Sequence, residues 1–310
     1  MIRRFAPAKL NLWLSVGARQ PDGFHQLETV MVPISLGDII EVRPTDHGVS
    51  LEVRQRYDFT DNADSVSLIP TDDQNLIVRI AKAFLAHCKI SSGVHFALYK
   101  SIPAGGGLGG ASANAAITLL LLNELFDLRK TWQELATFSA NFGSDIAFFT
   151  QTAAARCRGR GEVVDPIRYP NPNWFVVVRP PFGLSTPAVF AKLAQDRSSN
   201  NAIDRVSAES IGEDELRVPG NNGLEPQVSV RNSLEAPAVK LRPELGDVKK
   251  KVRACYPLTE SMSGSGSCWF GVFRHRRQAT WAANRLRAGN VGRVDVVRPV
   301  AYTILEGGRA

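Results

Sequence analysis

Paired cysteines, a metal-ligand cluster, a long apolar run and a block of like charge are all missing from this 310-residue chain. Its four cysteines, Cys88, Cys157, Cys255 and Cys268, lie far apart, with no Cys-x-x-Cys and no His at ligand spacing, so a zinc site of the usual kinds is not expected. No apolar segment follows the opening Met-Ile-Arg-Arg-Phe, so the sequence reads as lacking a secretory signal, with reduced cysteines and a cytoplasmic location. The strongest apolar stretch, Ala115 to Leu122, is far too short to span a bilayer. The net charge of +7 suits an anionic ligand without requiring nucleic acid. The basic residues near the C-terminus, Arg274, Arg276, Arg277, Arg285, Arg287 and Arg293, are spread out and read as a solvated face. With 44% hydrophobic residues, the chain is long enough to bury a core without staples, as one large domain or two ordinary ones.

Lys9 to Val16 alternates apolar and polar residues, which predicts a strand with one buried face. Pro21-Asp22-Gly23 marks a turn, Val30 to Val42 is strand-like but broken at Gly37-Asp38, and Leu51 to Val53 is a short strand. Asn75 to Cys88 predicts a helix, and Val94 to Tyr99 a strand leading into a glycine-rich loop. Helices are expected over Ala113 to Phe126 and Thr131 to Phe142, the second opened by a Thr131/Glu134 capping box. Trp174 to Val178 and Cys268 to Phe273 are apolar strands. The polar stretch at about 197–230 reads as an insertion. Two halves, 1–160 and 161–310, are expected to share one cleft.

The most informative segment is Pro103-Ala104-Gly105-Gly106-Gly107-Leu108-Gly109-Gly110-Ala111-Ser112-Ala113-Asn114, between a strand and a helix. Five glycines in six positions cost backbone entropy, which makes sense where backbone N–H groups must approach a ligand closely. The N-terminus of the following helix adds donors and a positive dipole end, together an anion site. No Lys follows Gly110, which excludes the P-loop form. No acidic residue follows at the Rossmann position, where Leu128-Arg129-Lys130 stands, which disfavours a nicotinamide-dependent oxidoreductase.

Three segments together resemble the GHMP kinases: Pro7-Ala8-Lys9-Leu10-Asn11-Leu12, the glycine loop, and Met262-Ser263-Gly264-Ser265-Gly266-Ser267-Cys268. A narrower resemblance is to the branch that phosphorylates a cytidine-diphosphate-linked methylerythritol in the non-mevalonate route to isoprenoid precursors. It is carried by Pro21-Asp22-Gly23-Phe24-His25-Gln26-Leu27-Glu28-Thr29-Val30, by the glycine loop in its longer form, by Gly143-Ser144-Asp145-Ile146-Ala147-Phe148-Phe149 and by Asn232-Ser233-Leu234-Glu235. It covers nearly the whole chain outside about residues 197–230. The resemblance implies an α+β fold, with a ribosomal-protein-S5-like N-terminal half, a ferredoxin-like C-terminal half and the active site between them. It also implies ATP and Mg²⁺ as cofactors and transfer of the γ-phosphate to the substrate's 2-hydroxyl. The partner is a small molecule, with no nucleic acid or membrane, and the enzyme is expected to be a monomer or weak homodimer. Phe24 stands where the family usually has Tyr, Ala111 and Ala113 replace a Gly and a Ser, and Ala147 replaces a Pro.

Residue by residue, the resemblance makes Asp145 the base and Lys9 its catalytic neighbour. On the residues alone, Ser144-Asp145 reads equally as a helix cap, and Lys9 as a surface residue of its strand. Asn11, on the same strand face as Lys9, is a substrate contact. By resemblance His25 reads cytosine, Phe24 and Phe190 sandwich it, and Thr186 lies on the same side, although core packing is the plainer reading of both rings. Asn75 and Lys100 match positions near adenine, residues 103–114 cradle the phosphates, and Ser112 and Asn114 face the phosphates and Mg²⁺. Gly264, Ser265 and Gly266 form a second glycine loop. The alternatives weighed are another GHMP kinase, such as mevalonate or homoserine kinase, and a non-catalytic nucleotide-binding protein.

Overall fold

The computed structural model describes residues 1–20, 23–55, 69–103, 105–151, 153–167, 169, 173–199 and 230–300. Pro21-Asp22, Ala104 and residues 200–229 of the expected insertion lie outside the described residues.

The first sheet is built on two long antiparallel strands, β1 (Ile2–Arg19) and β2 (His25–Thr45), in register from Ile2 opposite Val42 to Arg19 opposite His25. The expected break at Gly37-Asp38 is a register shift within a continuous β2, where Pro7 faces Gly37 but Ala8 faces Ile34. The far half of β2 pairs with β4 (Gly93–Lys100), which pairs in parallel with β3 (Val49–Gln55). Its near half pairs with β5 (Ala155–Gly159), which turns into β6 (Val163–Pro166). The division suggested at residue 160 falls in that turn.

Helices α1 (Leu76–His87), α2 (Gly110–Leu125), α3 (Trp132–Ser139) and the short α4 (Ile146–Phe149) accompany this sheet. Ile80, Phe84, Ala116 and Leu119 pack with Ile40, Val42, Phe96 and Leu98 in one apolar core. Nearly every residue of α2 from Ala113 to Leu122 is buried, so this helix has no polar face and its sequence shows no amphipathic period. The Thr131/Glu134 capping box is present, and the hydrogen bond from the Thr131 backbone holds the Glu134 carboxyl down at about 2.

The second sheet has the strand order β11-β7-β10-β9, formed by β7 (Trp174–Arg179), β9 (Thr259–Met262), β10 (Trp269–Phe273) and β11 (Arg293–Val297). Helices α5 (Thr186–Ser199), α6 (Glu235–Leu241) and α7 (Glu244–Arg253) lie between β7 and β9 in sequence, and α8 (Arg276–Ala288) lies between β10 and β11. This order and the antiparallel pairing are those of a ferredoxin-like unit. Between α5 and α6 the chain returns as β8 (Arg231–Asn232), which pairs in parallel with β1 in the first sheet.

The alternation in β1 predicts one buried face, but the structure buries both. Ala8, Leu10 and Leu12 pack against Phe175, Val177, Phe270 and Val272 of the second sheet. Lys9, Asn11 and Ser15, on the expected polar face, are also buried. The reason is position: the second sheet covers the Ala8, Leu10 and Leu12 face, and on the other face the two glycine loops close over Lys9 and Asn11, with Gly109 and Gly264 against the Lys9 side chain and the Asn11 N–H donating to Ser263 Oγ.

A buried ion pair fixes the chain where it enters the glycine loop. Lys100 Nζ lies 2.6 Å from Asp38 Oδ2 and also donates to the Ile102 carbonyl. Asp38 Oδ1 accepts from the N–H groups of Ser101 and Ile102 at 2.6 and 2.7 Å. Asp38 is fully buried, so removing its carboxylate strands a buried ammonium and two N–H donors. Asp38→Ala should lower the unfolding free energy by about 3–5 kcal/mol in a denaturant titration, whereas a loss below about 1 kcal/mol would contradict this role.

Candidate active site

A cleft of about 1010 Å³ runs between the halves, bordered by β1, both glycine loops, the start of α1, the Asp145 segment and α5. Gly109 occupies the N-cap position of α2 at φ +72°, a left-handed conformation that suits glycine, so the helix starts at Gly110, earlier than Ala113. Gly107 is also at φ +72°, and a Cβ there would lie 2.1 Å from the Ser263 carbonyl oxygen. The loops therefore interlock: Ser263 Oγ donates to the Gly107 carbonyl at 3.0 Å, and the Cys268 N–H donates to the Gly106 carbonyl at 3.2 Å. Part of the glycine content expected to serve a ligand instead serves loop-to-loop contact.

Lys9 lies under this crossing. Its N–H donates to the Leu108 carbonyl at 3.0 Å, its Nζ donates to Asn11 Oδ1, and Asp145 Oδ2 stands 3.8 Å from Nζ. Asn11 Nδ2 in turn donates to Thr29 Oγ1 at 2.8 Å, and Thr29 Oγ1 to the Trp13 carbonyl at 2.6 Å. Burial depresses the Lys9 pKa, and the Asp145 charge opposes that fall. Asp145 sits at the N-cap position of α4 but makes no capping hydrogen bond, and its side chain is 38% exposed. Its carboxylate is thus held beside Lys9 at the cleft rather than used as a cap. The heavier desolvation in the pair falls on Lys9.

The expected nucleotide residues line the same cleft, with different local duties. Asn75 caps α1, accepting from Ile77 N at 2.9 Å and donating to the Pro70 carbonyl at 2.7 Å. The Lys100 ammonium is held by Asp38 and the Ile102 carbonyl. Asn114 is buried, and its Oδ1 has no hydrogen-bond partner among the described residues. Ser112 stands nearby on the first turn of α2. Among the described residues no group of three or more His, Cys, Asp or Glu could hold a metal ion, so a cation here would rely on hydroxyl, amide and phosphate oxygens.

At the opposite end, His25 and Phe190 have ring centroids 5.5 Å apart, and His25 Nδ1 lies 3.1 Å from the Gly17 carbonyl. Thr186 Oγ1 and Ser265 Oγ are hydrogen-bonded at 2.7 Å, joining α5 to the second glycine loop. Phe24 is 53% exposed, with the Arg160 guanidinium 4.0 Å from its ring centroid. Sequence reasoning did not single out Asp38, Thr29, Ser263 or Arg160. Ser263 and Thr29 belong to segments that carried the resemblance without being given a role of their own, and Asp38 and Arg160 meet the site through tertiary contacts.

A glycine loop opening a buried helix, a second glycine loop locked onto it, and a lysine–carboxylate pair at their junction define a small-molecule kinase of the GHMP type. The family described as GHMP kinases N terminal domain matches residues 75–152. The 4-diphosphocytidyl-2-C-methyl-D-erythritol kinase of Geobacillus kaustophilus is 34% identical over 284 residues, covering 91% of each chain. The enzyme of that name from Carboxydothermus hydrogenoformans is 33% identical, covering 96% of each. A solved 4-(cytidine 5'-diphospho)-2C-methyl-D-erythritol kinase superposes with a TM-score of 0.74 at 34% identity, over 97% of this chain and all (100%) of that one. The mevalonate kinase of L. major shares the fold at a TM-score of 0.70 with 14% identity. The chain belongs to the 4-diphosphocytidyl-2-C-methyl-D-erythritol kinase family of GHMP kinases.

The buried lysine has a stability signature. Between its depressed native pKa and the ordinary value of 10.5, the unfolded chain holds more proton on Lys9 than the native one does, so this residue's contribution to stability rises with pH. The unfolding free energy of the wild type minus that of Lys9→Met should grow as pH is raised from neutral toward 10.5. A difference that stays level or shrinks over that range would contradict a desolvated Lys9.

Proposed function

We propose that this protein transfers the γ-phosphate of ATP to the 2-hydroxyl of 4-diphosphocytidyl-2-C-methyl-D-erythritol, giving the 2-phosphate and ADP. The observation that carries the reading is full-length likeness to enzymes of that name, joined to a Lys9–Asp145 pair at the junction of two glycine loops. The hydroxyl oxygen attacks the γ-phosphorus, the bond from that phosphorus to the ADP oxygen breaks, and the hydroxyl proton passes to Asp145. Lys9 pairs with Asp145 and offsets charge developing on the transferred group. The backbone of the first glycine loop and the N-terminus of α2 bind the nucleotide phosphates, with Asn75 and Lys100 toward adenine. Asn114 Oδ1 and Ser112 Oγ are suited to the cation that accompanies ATP, a Mg²⁺ that neutralises the β- and γ-phosphate oxygens when bound.

His25 reads the cytosine edge, and Phe24 and Phe190 bracket its ring, where stacking contributes on the order of 1–3 kcal/mol per base. Asn11, Thr186 and Ser265 complete the substrate side. The two halves, 1–160 and 161–310, act as one unit around the cleft. Among the described residues no helix is long and apolar enough to cross a membrane. The reading carries with it a cytoplasmic enzyme, monomeric or weakly dimeric, that acts on a free small molecule.

The direct test is ADP release with Mg²⁺-ATP and the cytidylated substrate, with mevalonate and homoserine in parallel. ADP release with the cytidylated substrate alone is expected. Release with mevalonate or homoserine alone would overturn the substrate, and release with none would overturn the kinase reading. Asp145→Asn should cut turnover by about 10²–10⁴ while ATP still binds. Near-normal turnover in that variant would remove Asp145 from the mechanism.

A further inference from the structure

Lysine carries a compact charge on a flexible stem, so the place of the Lys9 ammonium beside Asp145 depends on what holds it. Its Nζ donates to Asn11 Oδ1. An amide has an acceptor oxygen on one arm and a donor NH₂ of similar shape on the other, so its partners decide which arm faces which way. If the Asn11 amide turned over, its NH₂ would face an ammonium that can only donate, and Lys9 would lose this acceptor. What fixes Lys9 is therefore what fixes the Asn11 amide.

A hydrogen-bond chain with one direction does this. The Trp13 backbone carbonyl can only accept, and Thr29 Oγ1 donates its single hydrogen to it at 2.6 Å. With that hydrogen used, Thr29 Oγ1 can only accept toward Asn11, and Asn11 Nδ2 donates to it at 2.8 Å. The Oδ1 arm is then the one turned to Lys9. Lys9, Asn11 and Thr29 are all buried, so bulk water offers no substitute partner. The backbone brings these groups together. Asn11 faces Met31 across the β1–β2 pair, and Thr29, two residues along β2, lies on the same face. Trp13 faces Val30, so β1 carries one extra residue between the two pairs, a bulge of the kind that re-aims side chains. Beyond it the Trp13 carbonyl meets the Thr29 hydroxyl.

We infer that Thr29 is a positioning residue of this kinase: by fixing the direction of the Asn11 amide, it holds the Lys9 ammonium beside Asp145. This rests on the reaction proposed above, in which Lys9 works as a cation. Thr29 acts through Asn11 and takes no part in the proton transfer itself. A consequence for pH follows. Lys9 faces the Asp145 carboxylate and the thiols of Cys157 and Cys268. Burial raises both thiols, Cys268 to about 12, so neither loses its proton ahead of a lysine whose pKa burial has lowered. The hydrogen bond to Asn11 Oδ1 favours the charged lysine, so losing it lowers the Lys9 pKa further. Activity that needs the cation is then lost at a lower pH.

The test measures kcat, its pH profile and the Kd for ATP in the wild type, Thr29→Val, Thr29→Ser, Asn11→Ala and the Asn11→Ala/Thr29→Val double variant. Valine keeps the branched shape and removes the hydroxyl, whereas serine keeps the hydroxyl. Thr29→Val should lose about 10–100-fold in kcat, as expected for a displaced catalytic group. Its Kd for ATP should stay within about threefold of wild type, which also reports an intact fold. The alkaline limb of its kcat profile should move to lower pH by about one unit, as for loss of a hydrogen bond to a charged group. Thr29→Ser should return kcat to within about threefold of wild type and the limb to its original place. In the Asn11→Ala background, Thr29→Val should cost at most about twofold more, because its route to Lys9 is already gone. An undiminished kcat in Thr29→Val, an unmoved alkaline limb, no rescue by serine, a full further loss in the double variant, or loss of ATP binding in Thr29→Val would each overturn the positioning role. A wild type that turns over no cytidylated substrate would instead overturn the reading on which the inference rests.

Discussion

The close approach of the two glycine loops over Lys9 is the constraint on which the rest of the site depends. At Gly107 there is no room for a side chain, because the Ser263 carbonyl occupies the place of its Cβ. That contact ties α2 and the first sheet to β9 and β10 of the second. It also closes over the Lys9 side chain, whose Nζ would lie 3.2 Å from a Cβ on Gly264. A flexible cationic chain is thereby held beside Asp145, with Asn11 fixing its head from below. Positioning and electrostatic preorganisation are what phosphoryl transfer asks of a protein, and the crossing supplies both.

Around that junction, the buried polar groups form a graded set. Asp38 and Lys100 lie deep, with hydrogen bonds that define the entry to the first loop. Lys9 is equally buried but faces a carboxylate that still reaches the cleft. Cys268, whose thiol feels the Lys9 charge, is pushed up to about 12 by burial and remains a thiol. Burial and pairing thus separate the groups that hold the scaffold from those free to meet a substrate. The Asp38–Lys100 pair keeps the loop's shape, and the Lys9–Asp145 pair borders the cleft.

Much of this was legible in the sequence because local signals and the fold agree. Apolar runs marked β7 and β10, an apolar period marked α1, and the Thr131/Glu134 box opened α3. The glycine loops identified the cleft before any geometry was known. What could not be read was what depends on distant pairing. Alternation in β1 implied a solvated face, because nothing local reveals that two distant glycine loops close over Lys9 and Asn11. The glycines of the first loop could not declare that their nearest neighbour would be another backbone. Lys100 and Asn75 matched nucleotide positions by motif, whereas their bonds to Asp38 and to the end of α1 emerge only from the fold. Arg160 carries no motif of its own, and the tight turn that brings it over Phe24 brings together residues far apart in the chain.

The central claim is geometric: one cleft presents the substrate's 2-hydroxyl in line with the γ-phosphate, between Asp145 and Lys9. A crystal structure with a non-hydrolysable ATP analogue and 4-diphosphocytidyl-2-C-methyl-D-erythritol tests it most directly. The account predicts the 2-hydroxyl oxygen about 3–3.5 Å from the γ-phosphorus, as in a near-attack arrangement. It also predicts that oxygen within hydrogen-bond reach of Asp145, about 2.6–3.2 Å. A complex in which another hydroxyl lies nearest the γ-phosphate, or in which Asp145 is out of reach of the 2-hydroxyl, would contradict it.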